Sequence, residues 1–295
     1  MYDFTGKRVL ITGASGFLGG ELVDRLLQNN AIIYCMARNE GNLIKLQMKY
    51  PQIAYCFTGD IADRFSVQQA LQCNGKGIDM VMHLAAFKHV GMAEDQVREC
   101  VESNTIGSLI LLEESVKAGV ELVLGISTDK AAQVSGVYGA SKLLMERMFQ
   151  QFERTYSNKL SILPTDFRLV RYGNVLYSTG SVLCKWKELI QEGKEVVVTE
   201  PSATRFFWTV EQAVDLIWDC MENAKDATPY CPEMKSMRID DLLEAMIQKY
   251  SGGKDIPVKT IGLQPGENLH EKVLEEGPAS NEVEHFTIEE IKELI

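Results

Sequence analysis

The stretch that most constrains this chain is TGASGFLGG, Thr12–Gly20. It places Gly13-x-x-Gly16-x-x-Gly19 between a short apolar run, Lys7–Gly13, and an amphipathic run, Phe17–Asn30. A strand that turns through glycines into a helix offers free backbone N–H groups and a positive helix end to an anion. Gly13 permits the tight turn, Gly16 lets the backbone approach a pyrophosphate, and Gly19 lets helix and strand pack closely. A glycine turn used only for packing is the plainer alternative. The strand–turn–helix context favours a dinucleotide site, with Ser15, Phe17 and Leu18 completing the turn.

Further strand-like runs alternate with helical spacing. Strands are expected at Ala31–Ala37, Ile53–Gly59, Ile78–Ala86, Glu121–Ser127 and Ser161–Val170. Helices are expected at Asn42–Tyr50, roughly Asp95–Ala118, and Tyr138–Tyr156. Apolar runs without alternation suit strands buried on both faces, so the expected fold class is α/β, a doubly wound parallel sheet. After Arg171 the pattern shifts to Gly, Pro and short mixed segments, with helices near Ser181–Gln191, Glu211–Asn223, Ile239–Tyr250 and Thr287–Leu294. The expected division is a Rossmann domain over residues 1–171 with about 208–225, and a smaller, mainly helical substrate lobe over 172–207 and 226–295.

Composition narrows the partners. The net charge of −11 and pI of about 5.0 repel phosphate backbones, which argues against nucleic acid. Seven cysteines at irregular spacing, without a CxxC, suggest reduced thiols and a cytoplasmic protein. No apolar run is long enough to span a bilayer and the N-terminus does not resemble a signal peptide, so no membrane is expected. His270-Glu271 begins like a zinc-protease motif, but no second His follows and no metal site is expected.

The end of the second strand bears on cofactor choice. An acidic residue there serves NAD; this chain has Arg38 and Asn39, and a guanidinium can pair bidentately with a 2′-phosphate. NADP is expected, against the alternative of a solvated Arg38. Asp60 and Ile61, after the third strand, suit the adenine amine and ring. Leu84, Ala85 and Ala86 leave room for the nicotinamide ribose, and His83 suits a packed strand position.

Tyr138 and Lys142 lie one turn apart on one helix face. An ammonium near a phenol favours the phenolate, so the pair suits removal of a hydroxyl proton while hydride leaves the same carbon. Ser127 or Thr128, ending the preceding strand, is placed to bond the same oxygen. Asp129 and Lys130 add a second acid and base. Oxidation of a sugar at C4 acidifies the C5 hydrogen; removing it while protonating the C6 hydroxyl expels water, and hydride then returns to C6. For Lys130 to act as a base its pKa must fall, through burial and Lys142. On these two residues alone, a solvated turn is the simpler reading.

TGASGFLG, LAAFKHV, SNTIGS, STDKA, YGASK, RYGNVLYSTGSV, TRFFWTVEQAVDL and PGENLHE, in this order over nearly the whole chain, resemble the UDP-N-acetylglucosamine 4,6-dehydratases. These are extended short-chain dehydrogenase/reductases of polysaccharide biosynthesis. The resemblance implies tightly held NADP, a redox-neutral dehydration of a UDP-sugar, and a homo-oligomer, dimer or hexamer. It implies that Tyr138 and Lys142 oxidise, that Asp129 is the acid for C6, and that Lys130 is the base at C5. It also places Lys88 and Asn104 beside the cofactor, and Lys88, Asn174, Ser181, Lys185, Arg205 and Glu267 beside the substrate.

Three departures stand out. Gln264 occupies the place of a family Arg, the proline common before the tyrosine is missing from AAQVSGV, and the chain ends soon after PGENLHE, which suggests trimmed C-terminal elements. Tyr138 is retained, which points towards inversion at C5. A nucleotide-sugar epimerase or ketoreductase would use Tyr138 and Lys142 without Asp129 and Lys130. A non-catalytic NADP-binding protein would need none of the four.

Overall fold

The computed structural model describes residues 2–157 and 164–295. From β1 (Arg8–Thr12), an inner strand of the main sheet, the chain winds in two directions. On one side, α1 (Phe17–Gln28), β2 (Ile32–Ala37), α2 (Glu40–Lys49) and β3 (Tyr55–Thr58) run outwards. Helix α3 (Arg64–Gln72) then crosses back to β4 (Met80–His83) on the other flank of β1. Two short helices, α4 (Val90–Asp95) and α5 (Val97–Val101), a π-helical turn (Glu102–Ile106) and α6 (Gly107–Ala118) lead to β5 (Leu122–Thr128). A 3₁₀ turn (Asp129–Ala131) and α7 (Val137–Tyr156) precede β6 (Asp166–Tyr172).

The remaining chain alternates between lobe and sheet. It forms β7 (Asn174–Val175), α8 (Val182–Glu192), β8 (Val196–Val198), β9 (Thr204–Arg205), β10 (Phe207–Trp208) and α9 (Val210–Asn223). Then come β11 (Pro229–Tyr230), β12 (Met237–Arg238), α10 (Ile239–Tyr250), β13 (Val258–Thr260) and α11 (Ile288–Leu294). The main sheet has seven strands in the order β11-β6-β5-β4-β1-β2-β3, every pair parallel. This is the doubly wound sheet the sequence implies.

Both faces of the sheet are covered, which is why its strands are apolar throughout. Val9 and Ile11 pack with Leu22, Leu26, Leu43, Val214 and Trp218, so α1, α2 and α9 cover one face. Leu10 and Val81 pack with Val67, Leu111, Met145 and Phe149, so α3, α6 and α7 cover the other. A third cluster joins Trp186 and Ile190 of α8, Val196 and Val198 of β8, Met246 of α10 and Ile291 of α11 in the lobe.

The structure adds elements the sequence reading lacks. Helix α3 is one: the Asp63 side chain accepts from the Ser66 amide as an N-cap, and Val67, Ala70 and Leu71 form a short buried stripe. Strand β11 extends the sheet with two residues from the stretch assigned to the lobe. The single helix expected over Asp95–Ala118 is broken at Gln96, which leaves helical backbone, and again by the π turn. The turn buries Ser103 and Asn104 rather than apolar residues, so hydrophobic periodicity does not reveal it. The strand expected from Ser161 is observed from Asp166; residues 161–163 lie outside the described residues.

Candidate active site

Strand order reverses between β1 and β4, and a crevice opens at the carboxyl ends of the strands there. Gly13 follows β1 with φ of +71°, and a Cβ on it would lie 2.7 Å from the Ala85 amide nitrogen. Only glycine lets the phosphate turn pass so close to the end of β4. The crevice widens into a cavity of about 920 Å³ between sheet and lobe.

Most of the expected cofactor residues line this cavity. Gly13, Ser15, Gly16, Phe17, Leu18 and Gly19 form one wall, with Arg38 and Asn39 at the end of β2. Ile61, Leu84, Ala85, Ala86 and Lys88 also line it, and Lys88 Nζ donates to the Thr179 carbonyl at 3.1 Å. A glycine turn at a helix N-terminus, facing a cavity floored by small residues, fits a dinucleotide. Asp60 does not line the cavity: its carboxylate accepts from the Ala62 amide at 2.9 Å and stands 3.7 Å from Arg38. Nor does Asn104. Wholly buried in the π turn, it accepts from the Phe87 amide at 2.7 Å and donates to the Phe87 carbonyl at 2.9 Å and Ser141 Oγ at 3.0 Å. Ser141 in turn donates to the Tyr138 carbonyl at 2.8 Å. Asn104 therefore positions the Phe87–Lys88 strand end against α7, and every polar atom it has is engaged away from the cavity.

On the lobe side, Asn174, Ser181, Arg205 and Glu267 line the cavity. Lys185 does not, since α8 turns Leu183, Trp186 and Ile190 inwards and leaves Lys185 exposed to solvent. Arg205 Nη1 donates to the carbonyls of Thr204 and Leu269, each at 2.9 Å. Gln264, which stands in place of the family Arg, is exposed and donates to the Gly262 carbonyl at 3.3 Å.

The reacting groups sit where β5 gives way to α7. Helix α7 has Gly136 as its N-cap, which has no side chain to cap with; Glu94 of α4 substitutes, accepting from the Val137 amide at 2.7 Å. This fixes the first turn, which carries Tyr138. A Cβ on Gly139 would lie 2.3 Å from the Lys130 carbonyl, so a glycine there lets α7 rest directly on the Asp129–Lys130 turn. Thr128, Lys130, Tyr138 and Lys142 thus share one wall of the cavity.

Lys142 is 3% exposed, and burial lowers its pKa to about 8, against the pull of Glu146. Its Nζ donates to the Ile126 carbonyl at 2.7 Å. The expectation that Lys142 lowers the Tyr138 pKa is not met: burial pushes Tyr138 up to about 12, and it is Lys130 and Thr128, not Lys142, that work in the opposite direction. Ser127 Oγ donates to Glu146 at 2.5 Å, which leaves Thr128 as the hydroxyl beside Tyr138. His83, held between Thr12 Oγ1 at 2.8 Å and Ser108 Oγ at 2.9 Å, is neutral: burial takes its pKa to about 3.

Asp129 is 2% exposed and lies behind the cavity wall. It accepts from Thr128 Oγ1 at 2.9 Å, and its Oδ1 is 2.9 Å from Lys130 Nζ. The third member of this cluster is Glu271, 4% exposed, whose Oε1 is 2.9 Å from Lys130 Nζ and 3.3 Å from Arg205 Nε. The expectation that the Lys130 pKa falls is not met. Burial does lower it, but Asp129 and Glu271 outweigh burial and hold it above the usual lysine range. Asp129 goes the other way: burial raises it, but Lys130 and its hydrogen bonds prevail and keep it ionised. Burial and the Asp129 charge raise Glu271 to about 8. Sequence reasoning missed Glu271 as an active-site group, because its partner is 141 residues away and only its neighbour His270 suggested chemistry.

Comparison with known proteins covers nearly the whole chain. Residues 9–293 match the family described as polysaccharide biosynthesis protein. The chain belongs to that polysaccharide biosynthesis protein family. A Campylobacter jejuni protein named UDP-N-acetylglucosamine 4,6-dehydratase (inverting) is 33% identical over 97% of this chain and 81% of its own. A Methanocaldococcus jannaschii protein named as an uncharacterized membrane protein is 36% identical over 99% of this chain and 85% of its own. No helix among the described residues here is long and apolar enough to cross a membrane. Among solved structures, Pen from Bacillus thuringiensis superposes with a TM-score of 0.90 at 29% identity, covering 99% of this chain and 98% of that one.

Proposed function

We propose that this member of the polysaccharide biosynthesis family is a nucleotide-sugar 4,6-dehydratase that takes UDP-N-acetylglucosamine and uses NADP. The observation that carries the reading is the pair of buried Asp129 and partly buried Lys130, 2.9 Å apart and packed against the first turn of the helix that carries Tyr138. Oxidation or epimerisation at C4 needs a tyrosine and a lysine, whereas expelling water across C5–C6 needs a further acid and base. The nucleotide-sugar epimerase reading leaves that pair without a task.

Thr128 and Tyr138 hold the C4 oxygen, and Tyr138 takes its proton. A nicotinamide cofactor in the crevice supplies the hydride acceptor for C4 and the hydride returned to C6. A proton passes from the Lys130 ammonium to the Asp129 carboxylate across the 2.9 Å between them; the Lys130 amine then removes the C5 proton, and the Asp129 carboxylic acid supplies the proton with which the C6 hydroxyl leaves as water. Arg205 and Lys88, with Asn174, Ser181 and Glu267, face the UDP-sugar. Arg38 selects NADP through its 2′-phosphate, supported by its place on the cavity wall at the end of β2. The Tyr138 position supports inversion at C5. We place the enzyme in the cytoplasm as a homo-oligomer.

The test is incubation with UDP-N-acetylglucosamine in deuterated water, followed by NMR and mass spectrometry. Loss of one water with deuterium at C5 is the expected result. Unchanged sugar, or a C4 epimer that has lost no water, would overturn the reading.

A further inference from the structure

Tyr177 follows β7 in left-handed backbone, at φ of +55°. A bulky aromatic residue is strained there. The other described non-glycine residues with positive φ, Asn30 and Cys73, stand at the ends of α1 and α3, where left-handed backbone is common. Tyr177 ends no helix. Three residues on, Gly180 is left-handed too, at φ of +78°. Between the two bends Ser178 and Thr179 line the cavity, and the Thr179 carbonyl accepts at 3.1 Å from Lys88 Nζ, which reaches it from the segment beyond β4. A Cβ on Gly180 would stand 3.3 Å from the His89 ring of that same segment. The loop therefore bridges the lobe and the sheet across the cavity.

The strain is offset behind the loop. The Tyr177 hydroxyl lies 3.0 Å from the Tyr250 hydroxyl of α10, and Lys187 Nζ of α8 stands 5.3 Å from the Tyr177 ring centroid and 4.6 Å from that of Tyr250. Both rings pack on the apolar cluster of the lobe, and the Tyr177 carbonyl accepts from Cys184 Sγ at 3.6 Å. Tyr177, Tyr250 and Lys187 all lie outside the cavity wall. Strained backbone persists only where its surroundings over-determine it, and it gathers at ligand clamps.

We propose that Tyr177 is a positioning residue for the sugar nucleotide: tethered to Tyr250 and Lys187, it holds Ser178–Ser181 across the cavity, and the Thr179 carbonyl in turn aims Lys88. This rests on the reading that Lys88 and Ser181 face the UDP-sugar. Without the tether, residue 177 relaxes to an ordinary conformation and carries Thr179 away from Lys88. The sugar side of the cavity then loses its shape, while the glycine turn between β1 and α1 keeps its own. Substrate binding weakens and cofactor binding does not.

The experiment is calorimetric titration of UDP-N-acetylglucosamine into NADP-loaded protein carrying Tyr138→Phe, which stops turnover so that binding alone is read. NADP is titrated into cofactor-free samples of the same proteins. Tyr177→Phe and Tyr250→Phe each remove one side of the hydroxyl pair and should raise the substrate Kd about three- to tenfold. Together they should cost no more than about twofold beyond either alone, since they break one and the same bond. Tyr177→Ala, which keeps the strain and loses the ring, should raise the substrate Kd at least about tenfold. The NADP Kd should stay within about threefold throughout, its wall being distant from the tether.

Equal weakening of substrate and NADP overturns the inference, as does an unchanged substrate Kd in Tyr177→Ala. Should that variant not fold, Tyr250→Phe decides, since it removes one hydroxyl outside the cavity; a substrate Kd equal to the parent's is then fatal. A parent protein that binds the UDP-sugar while Tyr250→Phe shows no loss sinks this inference only. One that binds no UDP-sugar sinks the substrate reading and the inference together.

Discussion

The Lys142 ammonium donates to the backbone carbonyl of Ile126 at 2.7 Å, inside a wall where the lysine is 3% exposed. Beyond that carbonyl, the Met145 thioether lies 3.6 Å away. This is poor solvation for a cation, and its burial costs the fold stability.

That cost is measurable. The Lys142 pKa is about 8 in the folded protein against 10.5 in the open chain. Between those values the unfolded chain binds a proton that the native state lacks, so stability rises with pH across that window. Below it the penalty is constant. Lys142→Met should therefore raise unfolding stability at pH 7 by about 3 kcal/mol, remove the rise between pH 8 and 10.5, and abolish C4 oxidation. Urea unfolding at pH 7 and 10 checks it; equal pH dependence in both proteins counts against the assignment.

Asp129→Asn separates dehydration from simple alcohol oxidation. Dehydration should fall by about 10²–10⁴, while C4 oxidation of the UDP-sugar, followed by reduced-cofactor absorbance, stays within about threefold. A variant that dehydrates at the wild-type rate removes Asp129 from the mechanism.

Arg38 is exposed enough to meet a ligand, its side chain being 62% accessible, and among the described residues its ion-pair partner is Asp60, 3.7 Å away. Arg38→Ala should weaken NADP binding by about 10–100-fold and change NAD binding by less than about threefold. Calorimetric titration with each nucleotide is the check. Equal losses for both would mean that Arg38 does not read the 2′-phosphate.

Arg171 is fully buried and bonds bidentately to Glu146, at 2.7 and 2.6 Å, and to Glu275, at 2.8 and 2.9 Å. Arg171→Met strands the buried Glu146 carboxylate and should cost about 3–5 kcal/mol in urea unfolding. Glu275→Gln removes a half-exposed partner and should cost no more than about 1 kcal/mol. Similar losses for the two would mean the arginine is held chiefly from outside.

What the sequence made legible is local. The Gly13 turn announces β1 and α1 because the special φ, the free amides and the apolar strand are adjacent in the chain. Tyr138 and Lys142 share a helix face by spacing alone. Strand β11 has two residues and no period to display, and the short stripe of α3 is diluted by Gln68, Gln69 and Gln72. Asn104 and Lys185 looked like site residues on motif grounds, but the direction each side chain takes follows from a π turn and from the burial of Trp186. Glu271 and Glu146 were illegible because each answers a cation far away along the chain, and nothing in the spacing encodes such an encounter.

Lys130 and Arg171 are both held by carboxylates, Glu271 and Glu275, that follow them by more than a hundred residues. A ribosome therefore delivers the last strand of the main sheet, at Tyr230, before it delivers either clamp. The sheet that carries the glycine turn is thus complete in the growing chain while Lys130 and Arg171 still lack these two carboxylates.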